Sequence, residues 1–369
     1  MVRFSGGRGA DSSGLRLPTP EFTGCTTRSS WRGIIVVGKR LAALCAAVIT
    51  ATALVSGVAT AESNADGNSA SVARSADGRT MNTADAQRAV LDYWTPERMR
   101  ASIPADLPAD TVTSTRKAVP TGPAGEIEPV APTVQPQDIG IQDIGIQAVN
   151  ASRAMGKVFF HKPGDTRLWH CSGASIGSPK RRLVLTAGHC VHGGKGGGWA
   201  TDFVFVPYYF NGSRPHGSFA ATYLSSKNGW INNSDFGYDM GIAVTGNNAS
   251  GRKVNDEVGG NGTRWNYPRD VNITMMGYPL DRNNGEVPWL CWGKTERVGV
   301  FDGRIQIKCG FQGGASGGPW LQDYNDRADG WGVGYANGVT STINSDNWNR
   351  SPYFDDNFKS LYDFAESHA

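Results

Sequence analysis

From residue 150 onward, apolar positions fall in short runs broken by clusters of Gly, Asn and Asp. Lys157-Val-Phe-Phe160, Leu183-Val-Leu-Thr186, Phe203-Val-Phe-Val206, Ile242-Ala-Val244, Val271-Asn-Ile-Thr-Met275, Arg304-Ile-Gln-Ile307 and Trp331-Gly-Val-Gly-Tyr335 are such runs. Few windows hold a 3.6-residue period for three turns. Repeated short strands with turn signals predict an all-β sandwich or barrel. The end of the chain differs. Phe354, Phe358, Leu361, Tyr362 and Phe364 recur at mixed i+3 and i+4 spacings, which predicts a short C-terminal helix packed on the β core.

The region before residue 150 has another pattern. Lys39-Arg40 precedes an apolar run at 41–59, and Ala59-Thr60-Ala61 follows as a small-x-small site. A positive start, an apolar middle and a small-residue site read as an export signal, and membrane anchoring is the alternative. The polar, Arg-bearing stretch at 1–35 does not belong to such a signal. A translation start near Val36 accounts for it and leaves Cys25 outside the protein. Residues 62–149 hold 8 of the 19 prolines and no cysteine. A short helix is expected within 83–100, capped by Thr83, with Ala86 and Val90 on one face and an interruption at Pro96. Beyond Pro104 an extended spacer is expected. It contains Asp-Ile-Gly-Ile-Gln twice in succession, at 138–147, too short for a solenoid. The region reads as a pro-segment or a flexible linker.

Charge divides the chain at the same places. Residues 1–61 carry 7 basic and 2 acidic side chains, 62–149 carry 7 and 12, and 150–369 carry 22 and 19. The overall balance of +3 includes no strong basic block, so nucleic acid is a poor partner. A hydrophobic share of 39% is enough for a real core. Three segments follow: leader and signal at 1–61, pro-segment or linker at 62–149, and a folded domain at 150–369.

Three constellations in that domain carry chemistry. Leu183-Val-Leu-Thr-Ala-Gly-His-Cys190 presents His189, Tyr238-Asp-Met-Gly-Ile-Ala-Val244 presents Asp239, and Gly313-Gly-Ala-Ser-Gly-Gly-Pro319 presents Ser316. A serine hydroxyl is a weak nucleophile until a base takes its proton. His189 is the candidate base, and Asp239 the carboxylate that fixes its tautomer. Asp235, in a polar Asn-Asn-Ser-Asp cluster, competes for that role but reads as a solvated loop. The backbone N–H groups of Gly314 and Ser316 are candidate oxyanion donors.

These motifs, in the order His, Asp, Ser, resemble the chymotrypsin- and trypsin-like serine proteases over roughly residues 152–369. The resemblance implies two six-stranded antiparallel β-barrels and a secreted endopeptidase working through an acyl-enzyme on Ser316. It also implies a bridge between Cys171 and Cys190, leaving Cys291 and Cys309 as a second pair. Four cysteines allow three pairings, and the residues alone do not choose among them. No metal or organic cofactor is called for. Protein or peptide substrates, a monomer and no lasting membrane association complete the expectation. A secreted binding protein that keeps the fold with little turnover is the alternative.

The resemblance has local breaks. Many relatives carry Asp immediately before the nucleophile, where this chain has Ala315. Activation through a carboxylate–amine pair at that position is therefore excluded. In this respect the chain resembles the glutamyl-endopeptidase-like bacterial branch more than digestive trypsins. Gly310 stands where trypsin carries its acidic selector, and no acid occurs between Lys308 and Ser316. An uncharged first pocket is expected, with Gly310 and Phe311 beside it and Gly334, Tyr335 and Ala336 on the strand pairing with substrate. Asp323, Asn325, Asp326 and Asp329 form a polar loop without EF-hand spacing.

Overall fold

The structure, a computed structural model, describes residues 61–106, 114–116, 122–133, 151–327 and 331–369. The signal, the start near Val36, Cys25, Cys45, the pentapeptide repeat and Asp329 lie outside the described residues.

The chain opens with strands β1 (Glu62–Ser63) and β2 (Asn68–Val72). Helix α1 (Ala84–Tyr93) follows, and the Thr83 hydroxyl accepts the Ala86 N–H at 3.2 Å to cap it. Its Ala86 and Val90 are buried, as the pattern predicts. The break comes where Pro96 requires it. Pro96 opens a new helix, α2 (Pro96–Arg100), at a first-turn position where the missing N–H costs nothing. Then come β3 (Ile103–Pro104) and β4 (Gly125–Ile127).

Six strands close a barrel: β5 (Met155–His161), β6 (Trp169–Ser175), β7 (Leu183–Thr186), β8 (Thr201–Pro207), β9 (Phe219–Lys227) and β10 (Gly241–Thr245). The order is β9-β10-β7-β6-β5-β8, and antiparallel pairing of β8 with β9 completes the ring. β2 adds to the free side of β9, and β3 runs parallel to β6. Residues 199–233 therefore build barrel strands as well as loops.

The segment before residue 107 shares the barrel's core. Met81, Val90, Trp94, Met99 and Ala105 belong to the same apolar cluster as Phe159, Val184 and Leu224. Trp94 is fully buried and donates its indole N–H to the Asp202 carbonyl at 2.7 Å. Burying a side chain of that size stabilises the packed state by about 2–3 kcal/mol.

The second half contains β11 (Gly262–Trp265), β12 (Asn272–Gly277), β13 (Trp289–Lys294), β14 (Glu296–Arg297), β15 (Ile305–Ile307), β16 (Pro319–Gln322), β17 (Tyr335–Val339), β18 (Thr342–Ile343) and β19 (Asn349–Ser351). Among the described residues they form a six-stranded sheet, β13-β12-β16-β17-β11-β4, and a four-stranded sheet, β14-β15-β19-β18. Pairing is not wholly antiparallel, because β11 and β17 run parallel. Two corners separate the sheets. Thr295, between β13 and β14, turns its N–H and hydroxyl to the Val271 and Arg269 carbonyls. Thr340, between β17 and β18, exchanges backbone hydrogen bonds with Gly317 and Gly318.

Short helices fill the connections: α3 (Gly188–Val191), α4 (Asn228–Asn233) and α5 (Val254–Val258). The expected C-terminal helix is α6 (Asp356–Ser367), capped by Asp355. It buries Phe358, Leu361, Tyr362 and Ala365, while Phe364 lies half-buried against the His368 ring.

Candidate active site

One strand, β6, holds the two motifs that chemistry needs together. Cys171 is disulfide-bonded to Cys190, the neighbour of His189. The next residue, Ser172, donates its N–H to the Ser316 carbonyl at 2.7 Å and its hydroxyl to the Gly314 carbonyl at 2.8 Å. The second bridge joins Cys291 and Cys309 and ties β13 to the approach of the nucleophile loop.

His189 lies on α3, and Asp239 follows the turn at Phe236–Tyr238. Nδ1 of His189 is 2.8 Å from Asp239 Oδ2, and the His189 N–H donates to Oδ1 at 2.7 Å. Ser341 donates its hydroxyl to the same Oδ2 at 2.6 Å. The Asp239 carboxylate is fully buried. Burial works to lower the His189 pKa. The Asp239 charge and hydrogen bond, helped by Asp106, outweigh it and hold the imidazole above its ordinary value, with Lys162 opposing. Nε2 of His189 is buried without a hydrogen-bond partner among the described residues.

The loop at 313–318 bends sharply at its glycines. Gly314 has φ +90°, and a β-carbon there would meet the Tyr278 carbonyl at 2.6 Å. Gly317 has φ +81°, and a β-carbon there would strike Thr186 Oγ1 and the Ser172 carbonyl. Ala315 is buried against Gly277.

Two groups of this loop converge on one carboxylate. The Gly314 N–H donates to Asp106 Oδ2 at 2.6 Å, and the Ser316 hydroxyl donates to Asp106 Oδ1 in a short contact. Sequence reasoning missed Asp106, Ser172 and Ser341. Asp106 stands in an unpatterned Pro104-Ala-Asp-Leu-Pro108 stretch with no local signal.

The pocket beside Ser316 is lined by Phe311, Gln312, Thr340, Thr342, Ile343 and Asn349, together with Asp106. Phe311 forms one side of it. Gly310 adjoins it in a turn with φ +70°. Gly334 precedes β17, and Tyr335 and Ala336 lie on it, paired with β16 and β11. The wall of the pocket is the stretch after that strand, Thr340–Ile343. Asn349 is buried and exchanges two hydrogen bonds with the Phe311 backbone, at 3.0 and 2.8 Å. Asp235 is buried, not solvated. It caps the turn at Phe236–Tyr238 and accepts from Thr115. Asp323 is held outside the pocket by Arg264.

No protein-family model and no curated protein matches the chain. Solved structures do. Protease Anisep from Arthrobacter nicotinovorans is 32% identical, with TM-score 0.54, over 60% of this chain and 98% of its own. The thermostable serine protease AL20 from an extremophilic microorganism is 31% identical, with TM-score 0.54, over 59% of this chain and 99% of its own. With its closed six-stranded barrel, its two disulfides and near-complete coverage of these relatives, the chain belongs to the chymotrypsin- and trypsin-like serine proteases.

Proposed function

We propose that the chain is an exported endopeptidase in which Ser316, His189 and Asp239 act as nucleophile, base and orienting carboxylate. One observation carries this reading. His189 turns one ring nitrogen to a buried carboxylate, and the other has no partner among the described residues. The Ser316 hydroxyl and the Gly314 N–H meanwhile meet at a single acidic group. That group marks where a substrate carbonyl belongs.

The chemistry follows from these positions. Ser316 Oγ attacks the carbonyl carbon, its proton passes to His189 Nε2, and Gly314 and Ser316 N–H groups receive the oxyanion. The imidazolium then protonates the leaving amine. Water repeats the sequence on the acyl-enzyme and frees Ser316. A fluorophosphonate that labels Ser316, with Ser316→Ala as blank, tests the reading. An unlabelled, folded chain freed of residues 1–149 refutes it and favours the binding-protein alternative.

Residues 62–149 are read as a pro-segment, supported by the seating of 61–106 on the barrel and the core. The apolar run at 41–59 and the two disulfides support export. Among the described residues no helix is long and apolar enough to cross a membrane. The two corner strands, β13 with β14 and β17 with β18, support joining the two smaller sheets into a second barrel. The working unit is read as a monomer.

An uncharged residue is expected at the cleaved position. The only carboxylate among the described residues lining the pocket is Asp106, which leaves with the pro-segment. Asn349 already spends its amide on the Phe311 backbone. A lysine or arginine side chain entering there loses hydration without gaining a partner. Matched peptides differing only at that residue should be cleaved at least about tenfold faster after Leu or Phe than after Arg. The reverse order overturns this pocket assignment.

Activity should rise with pH. The base must be neutral to accept the serine proton, so the rising limb follows loss of the His189 proton. With Asp106 in place, burial lowers the His189 pKa, and the Asp239 charge and hydrogen bond, with Asp106, outweigh that and hold it above 6.5. Removal of Asp106 with the pro-segment takes away one of the charges raising it. kcat/KM on a small ester against pH measures the limb. A rate that falls as imidazole loses its proton contradicts the base assignment.

A further inference from the structure

The N-terminal segment does more than cover the barrel. Ser102 lies 2.9 Å from His170 Nδ1. The Ile103 N–H donates to the Leu168 carbonyl at 2.8 Å, and the Ala105 N–H to the His170 carbonyl at 3.0 Å. Lys162 reaches the Ala105 carbonyl at 3.2 Å, and its charge faces Asp106. These contacts deliver the Asp106 carboxylate to Gly314 and Ser316. The fit is close: a β-carbon on Gly313 would stand 2.7 Å from Asp106 Oδ2.

A second anchor lies across the site. The Thr115 N–H and hydroxyl donate to Asp235 Oδ2 at 3.2 and 2.8 Å. The Arg116 guanidinium bonds the Gly237 carbonyl, pairs with the buried Asp355, and sits 4.6 Å over the Tyr238 ring. Both Asp235 and Tyr238 belong to the turn that leads into Asp239. The segment is thus fixed on β6 on one side of the catalytic groups and on the aspartate turn on the other.

We propose that Asp106 is a built-in inhibitory carboxylate, which fills the oxyanion site and ties up the Ser316 hydroxyl until its segment leaves. This rests on the reading of Ser316 as nucleophile. The occupant has the chemistry of a product: hydrolysis of a peptide leaves a carboxylate at this place. It is not itself cleavable there. A side-chain carboxylate carries no amine leaving group, and its carbon is a poor electrophile. It satisfies the Gly314 donor, which otherwise stabilises the transition state. It also draws the Ser316 proton away from His189 Nε2, which is left without a partner among the described residues.

One carboxylate with two hydrogen bonds is a weak ligand when free. Tethering changes that, because a short link gives an effective concentration on the order of millimolar. Here the tether is itself paired to β6 and packed through Ala105 and Met99. The same acid group in a free peptide should bind far less well.

The test compares full-length chains. Initial rates of fluorophosphonate labelling are measured on the parent, Asp106→Asn and Ile103→Pro, with mass spectrometry confirming that residues 61–116 are still attached. Asn keeps the shape but removes the charge. Pro at 103 removes the N–H that holds the tether to Leu168 and touches no catalytic group. Asp106→Asn should label at least about tenfold faster than the parent, and Ile103→Pro should also be faster. If the Asn variant does not fold, acceleration by Ile103→Pro carries the support and its absence overturns the proposal. Equal rates in all three overturn it, while labelling of the parent freed of residues 1–149 leaves the Ser316 reading standing. A freed chain that melts cooperatively yet takes no label brings down the reading and the proposal with it.

Discussion

Ser316→Ala and His189→Ala should each lower kcat of the processed enzyme by roughly a million-fold, and the double variant should lose little more. On the proposed assignment the two side chains perform one step. Without the hydroxyl there is nothing to acylate. Without the imidazole the hydroxyl keeps its proton, and a serine at neutral pH does not attack an amide. What remains is the donation by Gly314 and Ser316 N–H groups to a carbonyl attacked by water, worth roughly a thousand-fold over solution. The fold should survive both changes. Ser316 is held by its carbonyl to Ser172, a contact that alanine keeps. The α3 turn is pinned by the Cys171–Cys190 bridge whatever stands at 189. Single-turnover hydrolysis of an activated ester, alongside thermal melts, measures both statements. Strong additivity in the double variant would mean that the two do not act in one step.

The residue-level chemistry was legible where it depends on residue type in a short loop. Gly313–Gly318 around Ser316, and His189 beside a cysteine, announce themselves because a tight turn, a nucleophile and a base leave little choice of residue. Strand positions were legible where burial makes a run apolar on both faces, as in Leu183–Thr186, which is wholly buried. The same logic does not reach the pocket beside Ser316. Trp331-Gly-Val-Gly-Tyr335 looks like a strand, yet regular pairing begins only at Tyr335. The stretch that lines the pocket, Thr340–Ile343, opens with three small polar residues: the Thr340 backbone serves Gly317 and Gly318, and the Ser341 hydroxyl serves Asp239. Nothing periodic marks such a stretch.

The helix and its break within 83–100 were legible, but the docking of 61–106 on the barrel was not. Its large apolar residues are few, and they are buried by the barrel rather than by one another. Trp94 and Met99 look isolated in sequence and are fully buried in the fold. Asp106 acquires its place through contacts far along the chain: its neighbours pair with β6, and its carboxylate meets residues 208 and 210 positions away. The corners between the two smaller sheets were illegible as well. Period-2 patterning does not reveal that Thr295 and Thr340 interrupt the ladders, because both corners are set by side-chain and loop hydrogen bonds.

Asp239→Asn should lower kcat by roughly ten-thousand-fold and leave KM and the melting temperature nearly unchanged. Three donors meet this carboxylate: the His189 N–H on Oδ1, and His189 Nδ1 with the Ser341 hydroxyl on Oδ2. An amide can place its oxygen toward the His189 N–H, but its NH2 then faces the other two groups. Ser341 adapts by rotating its hydroxyl to accept. The imidazole adapts by moving its proton from Nδ1 to Nε2. Every buried polar group is again satisfied, so the packed state is retained. The cost falls on the chemistry. With the proton on Nε2, the ring presents a donor to Ser316 and has no lone pair with which to take the serine proton. The charge that stabilises the imidazolium is gone as well. Asp239→Ala is the informative contrast, since it leaves the same donors facing a cavity and should lower stability by about 1–3 kcal/mol for an unsatisfied buried group. A folded Asp239→Asn enzyme retaining more than about a tenth of parental kcat would show that this carboxylate does not set the tautomer of His189.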